Sequence, residues 1–310
     1  YSEYTPGPAD QGLWSDSLFR VYKINRDGIG DWDAWPFELG APSLKTNAGS
    51  DSLDSGGRKI PKLIGDQTLW LVMNDLDLSK HREDFGEMPE ILGVEVQSTV
   101  FGYENELYRN MVFYNYKIYN KGNAHISDSY FMIYCDIDIG WPSDDYMGCD
   151  TTLALGYGYQ KAADALWGIN PPAIGWQILQ GPRVESFGDW ATAFSRRWIN
   201  SKNLSAMAFI TMPRFWGPYD PHVELILSLA QGRYFDYPTI NPATGDTTTF
   251  EFSGDPVLNR GFVDEKGNLN DHAGIFKDLN VLKDANEKII EFLESQNLLM
   301  LMEDYKHRYP

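Results

Sequence analysis

Short runs of β-branched and aromatic residues in the middle of the chain restrict its fold more than any other feature. In the run 112–119, the polar residues Asn115 and Lys117 alternate with Tyr114, Tyr116 and Ile118, which is the two-residue period of a half-buried strand. Because no helical pattern separates such runs, they predict a mainly β fold, an antiparallel β-sandwich-like domain with long loops. The runs occupy residues 69–74, 94–103, 107–120, 129–138 and 152–160.

The remainder of the chain predicts weaker strands and two helices. Residues 176–179, 206–211 and 247–252 are strand-like, and an Asp-Pro pair begins a short helix at 221–231. From 278 to about 305, apolar residues recur at spacings of three and four, which predicts an amphipathic helix packed on the sheet. Its apolar run at 298–302 could instead contact a partner. This pattern divides the chain into a β-rich, calcium-stabilised domain at 1–270 and a C-terminal helical segment at 271–310.

The charge balance argues against two classes of partner. The 310 residues include 44 acidic and 26 basic side chains, a formal net charge of −18, which repels phosphate backbones and anionic membranes. We therefore expect no nucleic-acid partner. No run approaches the roughly 20 apolar residues of a membrane-spanning helix, so no membrane span is predicted. The chain begins at Tyr1 without an initiator Met, as expected of a mature chain that has lost a targeting segment or of a trimmed sequence.

An acidic segment between two predicted strands is the strongest candidate site. Carboxylates this close together repel one another unless a cation neutralises them, and a hard cation prefers oxygen ligands. The segment therefore predicts a calcium site, while the alternative is a solvated acidic loop. The expected ligands are Asp136, Asp138, Asp144, Asp145 and Asp150.

Two cysteines flank this acidic segment. Cys135 and Cys149 lie at the two ends of one turn-rich stretch, and a disulfide between them would add about 3 kcal/mol by the chain-entropy argument. Such a bond would indicate an oxidising compartment. Two free thiols are the alternative.

A second, weaker calcium site is predicted near the start of the chain. Asn25, Asp27 and Asp31 resemble the middle of an Asp-rich calcium loop, with a turn at Asp27-Gly28. Such loops place an acid two positions before Asn25, where this chain has Lys23. An ordinary polar turn is the alternative.

Catalytic signatures are scarce in the sequence. It has no nucleophile elbow, no H-E-x-x-H and no phosphate-binding glycine loop, so it predicts a protein without enzymatic activity, although a glycosidase-type carboxylate pair stays open. Several tryptophans in predicted loops could stack on a sugar, and packing is the alternative for each. They are Trp14, Trp32, Trp35, Trp141, Trp190 and Trp216.

Short segments spread over most of the chain carry a family resemblance. They include Gly65-Asp66-Gln67-Thr68, Gly93-Val94-Glu95-Val96-Gln97, Phe113-Tyr114-Asn115-Tyr116 and Asp136-Ile137-Asp138-Ile139-Gly140. Together they resemble large secreted proteins of Bacteroidota-like bacteria, an uncharacterised family whose members commonly carry a type IX secretion sorting domain. This chain lacks that domain, and its tail after Asp271 is atypical of the family.

These features together predict a secreted protein with a structural or adhesive role. We expect it at the cell surface or in an extracellular assembly, with calcium as its cofactor and with self-association or a cell-surface glycan as its partner interaction. The alternative is a carbohydrate-binding module or a glycoside hydrolase that acts on extracellular polysaccharide.

Overall fold

The structure is a computed structural model in which two compact units, Tyr1–Ser129 and Tyr130–Pro310, divide the chain. It describes residues 3–10, 17–81, 89–127, 129–135, 137–141, 145–150, 153, 155–160, 163–193 and 196–204. Only the backbone is described for 146–150 and for five short strands beyond residue 204. The predicted division at residue 270 stays a prediction.

Unit 1 contains a five-stranded antiparallel sheet built around one central strand. Strand β3 pairs with β4 on one side and with both β1 and β2 on the other, and β5 pairs with β4. Burial alternates along the whole length of β3, where every second residue from Thr68 to Asn74 is buried, as the two-residue period of a strand requires. The strands are β1 (Thr5–Pro6), β2 (Tyr22–Asn25), β3 (Gln67–Asn74), β4 (Val94–Gly102) and β5 (Val112–Asn120).

The core of unit 1 lies on one face of this sheet, under a long loop. Trp70 of β3 is only 1% exposed and packs with Ile24 of β2. The loop after β2 contributes Trp35 and Ala41 to the same cluster, and the Trp35 indole N–H donates to the carbonyl oxygen of Pro42 at 3.0 Å. The loop is therefore held closed over the sheet by packing and by a satisfied buried donor.

Strand β5 exposes the face that its sequence predicts to be buried. Tyr114 is 60% exposed, and Tyr116 and Ile118 are also exposed, whereas Lys117 on the other face is half-buried. Burial lowers the pKa of Lys117. The two-residue period shows which side chains share a face, but the position of the covering loop decides which face is buried.

Unit 2 also consists of antiparallel strands. A three-stranded sheet joins β6 (Asp145–Asp150), β7 (Leu155–Gln160) and β8 (Ile174–Gln177), and a long hairpin joins β9 (Arg183–Ala193) to β10 (Arg196–Asn203). Shorter strands form two further small sheets. These are β11 (Arg233–Tyr234), β12 (Tyr237–Ile240), β13 (Thr247–Thr248), β14 (Phe262–Val263) and β15 (Leu269–Asn270).

The mainly β, antiparallel fold predicted from the sequence is confirmed. The strand predicted at 129–138 is wrong for its described residues, which form no strand; their large side chains follow one another without alternation. The predicted strand at 206–211 and the predicted helices at 221–231 and 278–305 lie outside the described residues. Within the described part of the chain, helices are limited to the short turns Phe37–Leu39 and Leu78–Lys80, and none could cross a membrane.

Candidate functional site

The β9–β10 hairpin gathers basic and aromatic side chains in an otherwise acidic protein. Its strands pair in register from Arg196 opposite Ala193 to Ile199 opposite Trp190, and again from Ser201 opposite Glu185 to Asn203 opposite Arg183. The sequence from 183 to 203 has four basic residues and two acidic ones, a local net charge of +2. The basic residues are Arg183, Arg196, Arg197 and Lys202.

A large β-bulge interrupts the hairpin between these two paired stretches. Four residues of β9, 186–189, lie opposite Asn200 alone. Asn200 has a φ of 51°, a left-handed conformation that Asn tolerates better than most residues, and its Oδ1 accepts the Gly188 backbone N–H at 3.1 Å. The bulge directs Phe187 outward, where its side chain is 95% exposed.

Guanidinium groups lie against both tryptophan rings of the hairpin. Arg197 Cζ is 4.3 Å from the Trp190 ring centre, while Arg183 Cζ and Arg196 Cζ are 4.5 and 5.3 Å from the Trp198 ring centre. A guanidinium over an indole is attracted to the ring by about 0.5–1 kcal/mol at an exposed site. These contacts favour an orientation of the three exposed arginines, with Arg183 and Arg196 on the Trp198 face of the hairpin and Arg197 on the Trp190 face.

The bulge forms one wall of a cavity of about 440 Å³. Arg183 and Glu185 give this cavity charge, and Phe187 and Ile199 give it apolar surface. Its other lining residues have side chains that donate and accept hydrogen bonds, and they are Ser186, Asn200 and Ser201.

Hydrogen bonds from the side chains of Asn203 and Arg183 keep the hairpin in this shape. Asn203 Nδ2 donates to the carbonyl oxygens of Gly181 and Thr192, both at 3.0 Å, and Asn203 Oδ1 accepts the Thr192 N–H at 3.0 Å. Arg183 Nη1 donates to Ser201 Oγ at 3.0 Å. The site is therefore a preformed surface that combines fixed cations, an exposed ring and hydrogen-bonding groups.

Sequence reasoning missed this site for two reasons. Arg183 and the pair Arg196-Arg197 are separated along the chain, so no basic cluster is visible until the strands pair. The four bulge residues also break the two-residue alternation by which strands are found. The signal that was present is Trp190, which the sequence marked as a stacking candidate and which here carries Arg197.

The predicted calcium site in the acidic segment stays a prediction. Asp136 and Asp144 lie outside the described residues, and only the backbone of Asp150 is described. Asp138 is exposed, whereas Asp145 Oδ2 accepts the Ile139 backbone N–H at 2.9 Å. Among the residues whose side chains are described, no group of three or more acidic, His or Cys side chains is placed to hold a metal ion.

The weaker calcium site near the start of the chain stays a prediction, and its residues accept hydrogen bonds from the protein's own donors. Both Asp31 oxygens accept from the Arg20 guanidinium, at 2.7 and 3.1 Å, and this hydrogen bond lowers the pKa of Asp31. Asp27 Oδ1 accepts the Ile29 N–H, and Asn25 Oδ1 accepts from the Gln67 side chain. These three residues therefore stabilise the turn between β2 and the loop that follows.

The predicted disulfide is not borne out by the structure. Cys135 is a free thiol, and burial raises the pKa of that thiol. The side chain of Cys149 lies outside the described residues.

Comparison with known proteins links part of the chain to translation. It is 50% identical over 84 residues to isoleucine–tRNA ligase of Prochlorococcus marinus strain MIT 9301 and 52% identical over 84 residues to that of Prochlorococcus marinus subsp. pastoris. Each match covers 24% of this chain and 9% of the relative. The ligase of Gloeothece citriformis is 56% identical over 57 residues, 18% of this chain and 6% of the relative. No protein-family model and no solved structure matches the chain.

These matches correct the functional prediction made from the sequence. The relatives are named isoleucine–tRNA ligase, a name that conflicts with a secreted adhesive protein. The predicted role as a secreted structural or adhesive protein is therefore wrong, as are its carbohydrate-active alternative and the predicted extracellular or cell-surface location. That role was inferred from predicted strands, an acidic segment and the scarcity of catalytic motifs, and none of these features identifies a reaction.

Proposed function

We propose that this chain takes part in protein synthesis, in the process that joins isoleucine to its tRNA. The observation that carries this proposal is the identity of about one half over as many as 84 residues with isoleucine–tRNA ligases of several cyanobacteria. The chain spans less than a tenth of the length of these relatives. The proposal therefore concerns a contribution to the process, and the complete reaction is not assigned to this chain.

The geometry of the β9–β10 hairpin supports an RNA partner for such a role. Nucleic acid binding relies on cations for phosphates and on exposed rings for unpaired bases. The hairpin offers both, through Arg183 and Arg196 over the Trp198 ring and through Phe187. The overall charge of −18 opposes RNA elsewhere on the protein, so binding would be local and sensitive to salt.

Binding of tRNA by the full chain tests the proposal. Fluorescently labelled isoleucine tRNA and phenylalanine tRNA, prepared in the same way, would each be titrated with the protein at about 100 mM salt and followed by anisotropy. We expect the isoleucine tRNA to bind with a Kd at least about tenfold lower, which corresponds to 1.4 kcal/mol. Equal affinity for the two tRNAs, or binding of neither, would overturn the proposal.

Several expectations from the sequence stay predictions. They are the resemblance to secreted Bacteroidota-type proteins, the division at residue 270, calcium as cofactor with both ligand sets, self-association and a glycan partner. The expectation of no nucleic-acid partner, which came from the net charge, is the one that this proposal replaces.

A further inference from the structure

We propose that the β9–β10 hairpin is a binding surface for single-stranded RNA, with an unpaired base against Phe187 and the neighbouring phosphates on Arg183 and Arg196, whose guanidinium groups share the Trp198 ring. The choice of RNA as the anionic partner rests on the proposed function in translation. The position of the surface rests on the hairpin's geometry alone.

The base-binding part of the surface is the cavity at the bulge. Phe187 is almost fully exposed at its wall and Ile199 is 78% exposed beside it, so a planar base can lie on apolar surface there. Base stacking on an aromatic ring tolerates any base, because each base has a π-face. Asn200 and Glu185 line the same cavity and can pair with donors and acceptors on a base edge.

The phosphate-binding part consists of arginines held close together. Arg183 Cζ and Arg196 Cζ lie 4.5 and 5.3 Å from the same Trp198 ring centre, so the sum of these distances limits their separation to 9.8 Å. One strand of a duplex rises about 3.4 Å per nucleotide, so this separation is on the scale of a few consecutive phosphates. Arg183 also lines the cavity, which connects the cationic part of the surface to the base-binding part.

Two acidic side chains belong to the same hairpin and limit its affinity for simple anions. Glu185 lines the cavity, and Asp189 accepts a hydrogen bond from Ser186 Oγ at 2.5 Å. They leave a net charge of only +2 over 183–203, which is a weak attractor for phosphate by itself. Recognition therefore has to combine charge with stacking, and this combination favours an unpaired nucleic acid strand over inorganic polyphosphate.

Binding of a labelled single-stranded RNA 12-mer by the full chain, measured by anisotropy, tests this surface. Phe187→Ala removes the exposed ring and is expected to weaken binding about tenfold. The double variant Arg183→Ala/Arg196→Ala removes both guanidinium groups over Trp198. It is expected to weaken binding and to reduce the slope of log K against log salt by about 1.4, since each phosphate contact on a single strand contributes about 0.7. Arg196→Lys keeps the charge but loses the planar contact with Trp198, and its affinity should lie between that of the native chain and that of the double variant.

The matched control is Arg20→Ala in unit 1. Arg20 Cζ lies 4.1 Å from the Tyr22 ring centre, so this variant removes the same kind of arginine–ring contact away from the hairpin. It should bind the RNA as the native chain does. Circular dichroism of each variant distinguishes a lost contact from a lost fold.

The outcomes separate this proposal from the proposed function. Hairpin variants that bind RNA as tightly as the native chain, or an Arg20→Ala variant that weakens binding equally, would overturn the surface. Polyphosphate that competes as well as RNA at equal charge would overturn the stacking part of it. If the hairpin binds RNA but the chain does not prefer isoleucine tRNA, the proposed function fails and the surface stands.

Discussion

His81 is held between two carbonyl oxygens, and this arrangement fixes its protonation state. Its Nδ1 lies 2.9 Å from the Pro89 carbonyl oxygen and its Nε2 lies 2.7 Å from the Asp75 carbonyl oxygen. A carbonyl oxygen only accepts, so both ring nitrogens donate only when the ring is the imidazolium. Burial lowers the pKa of His81, but the two carbonyl contacts raise it, and the net result is a pKa above the ordinary value.

Unit 1 is therefore expected to lose stability as the pH rises. Because the folded pKa of His81 exceeds the unfolded value of about 6.5, the stabilisation is complete below about pH 6.5 and is lost as pH passes through the folded pKa. Melting curves at about pH 6 and about pH 8 should show a lower Tm at the higher pH. His81→Gln should remove most of this difference, and His125→Gln, at an exposed position, should retain it. The same pH dependence in His81→Gln as in the native chain would show that this contact is not responsible.

At the scale of elements, the entry into β3 depends on a glycine. Gly65 has a φ of +70°, and a Cβ at this position would overlap the carbonyl oxygen of Gly102 at the end of β4. Gly49 has a similar φ of +83° but faces open space. The two glycines therefore differ in their surroundings and share their backbone conformation.

Gly65→Ala is predicted to loosen the β3–β4 pair far more than Gly49→Ala loosens its own loop. We expect Gly65→Ala to cost more than about 1 kcal/mol, because the left-handed backbone and the backbone overlap act together. Hydrogen exchange of peptides that cover β3 and β4, followed by mass spectrometry, measures the local loss. Equal exchange in both variants would contradict the role of the overlap.

The sequence predicted β3, β4 and β5 well and the β9–β10 hairpin not at all. β3 and β4 are rich in β-branched and apolar residues, which indicates strands, although burial in them includes polar residues such as Thr68, Asn74 and Glu95. In β9 the bulge inserts unpaired residues between Glu185 and Trp190, and the alternation fails where the candidate site lies. A bulge is defined by how two strands pair, and the residue periodicity within one strand gives no information about that pairing.

At the scale of the whole molecule, unit 1 has a core of its own. Trp70, Ile24 and Trp35 belong to one buried cluster that lies entirely within Tyr1–Ser129. A segment with its own sheet and core is expected to fold without the rest of the chain.

A fragment of residues 1–129 should therefore melt cooperatively and show a β-type circular dichroism spectrum. Trp70→Ala in this fragment should cost about 3–5 kcal/mol, enough to unfold a domain of ordinary stability. Leu53→Ala, at an exposed position, should leave the transition almost unchanged. A fragment without a cooperative transition would show that unit 1 needs the remainder of the chain.

The net charge shows why function was harder to predict than fold. A total of −18 describes the average surface, whereas a local basic patch depends on the few side chains that strand pairing brings together, as it brings Arg183 and Arg196 to the Trp198 ring. No sequence motif indicated the hairpin surface either, because residues that form a stacking surface have no fixed spacing along the chain. The resemblance to isoleucine–tRNA ligases rests on identity over 24% of the chain, and neither net charge nor hydrophobic periodicity indicates it.

The most direct test of a role in translation is to identify the RNA that the full chain contacts in cells. The tagged chain would be crosslinked to RNA by ultraviolet light in a bacterial host, purified under denaturing conditions and sequenced for the attached RNA. The Arg183→Ala/Arg196→Ala variant would be treated in parallel. The account predicts that isoleucine tRNA is enriched over its cellular abundance with the native chain. Isoleucine tRNA recovered only in proportion to its abundance among all tRNAs would contradict it.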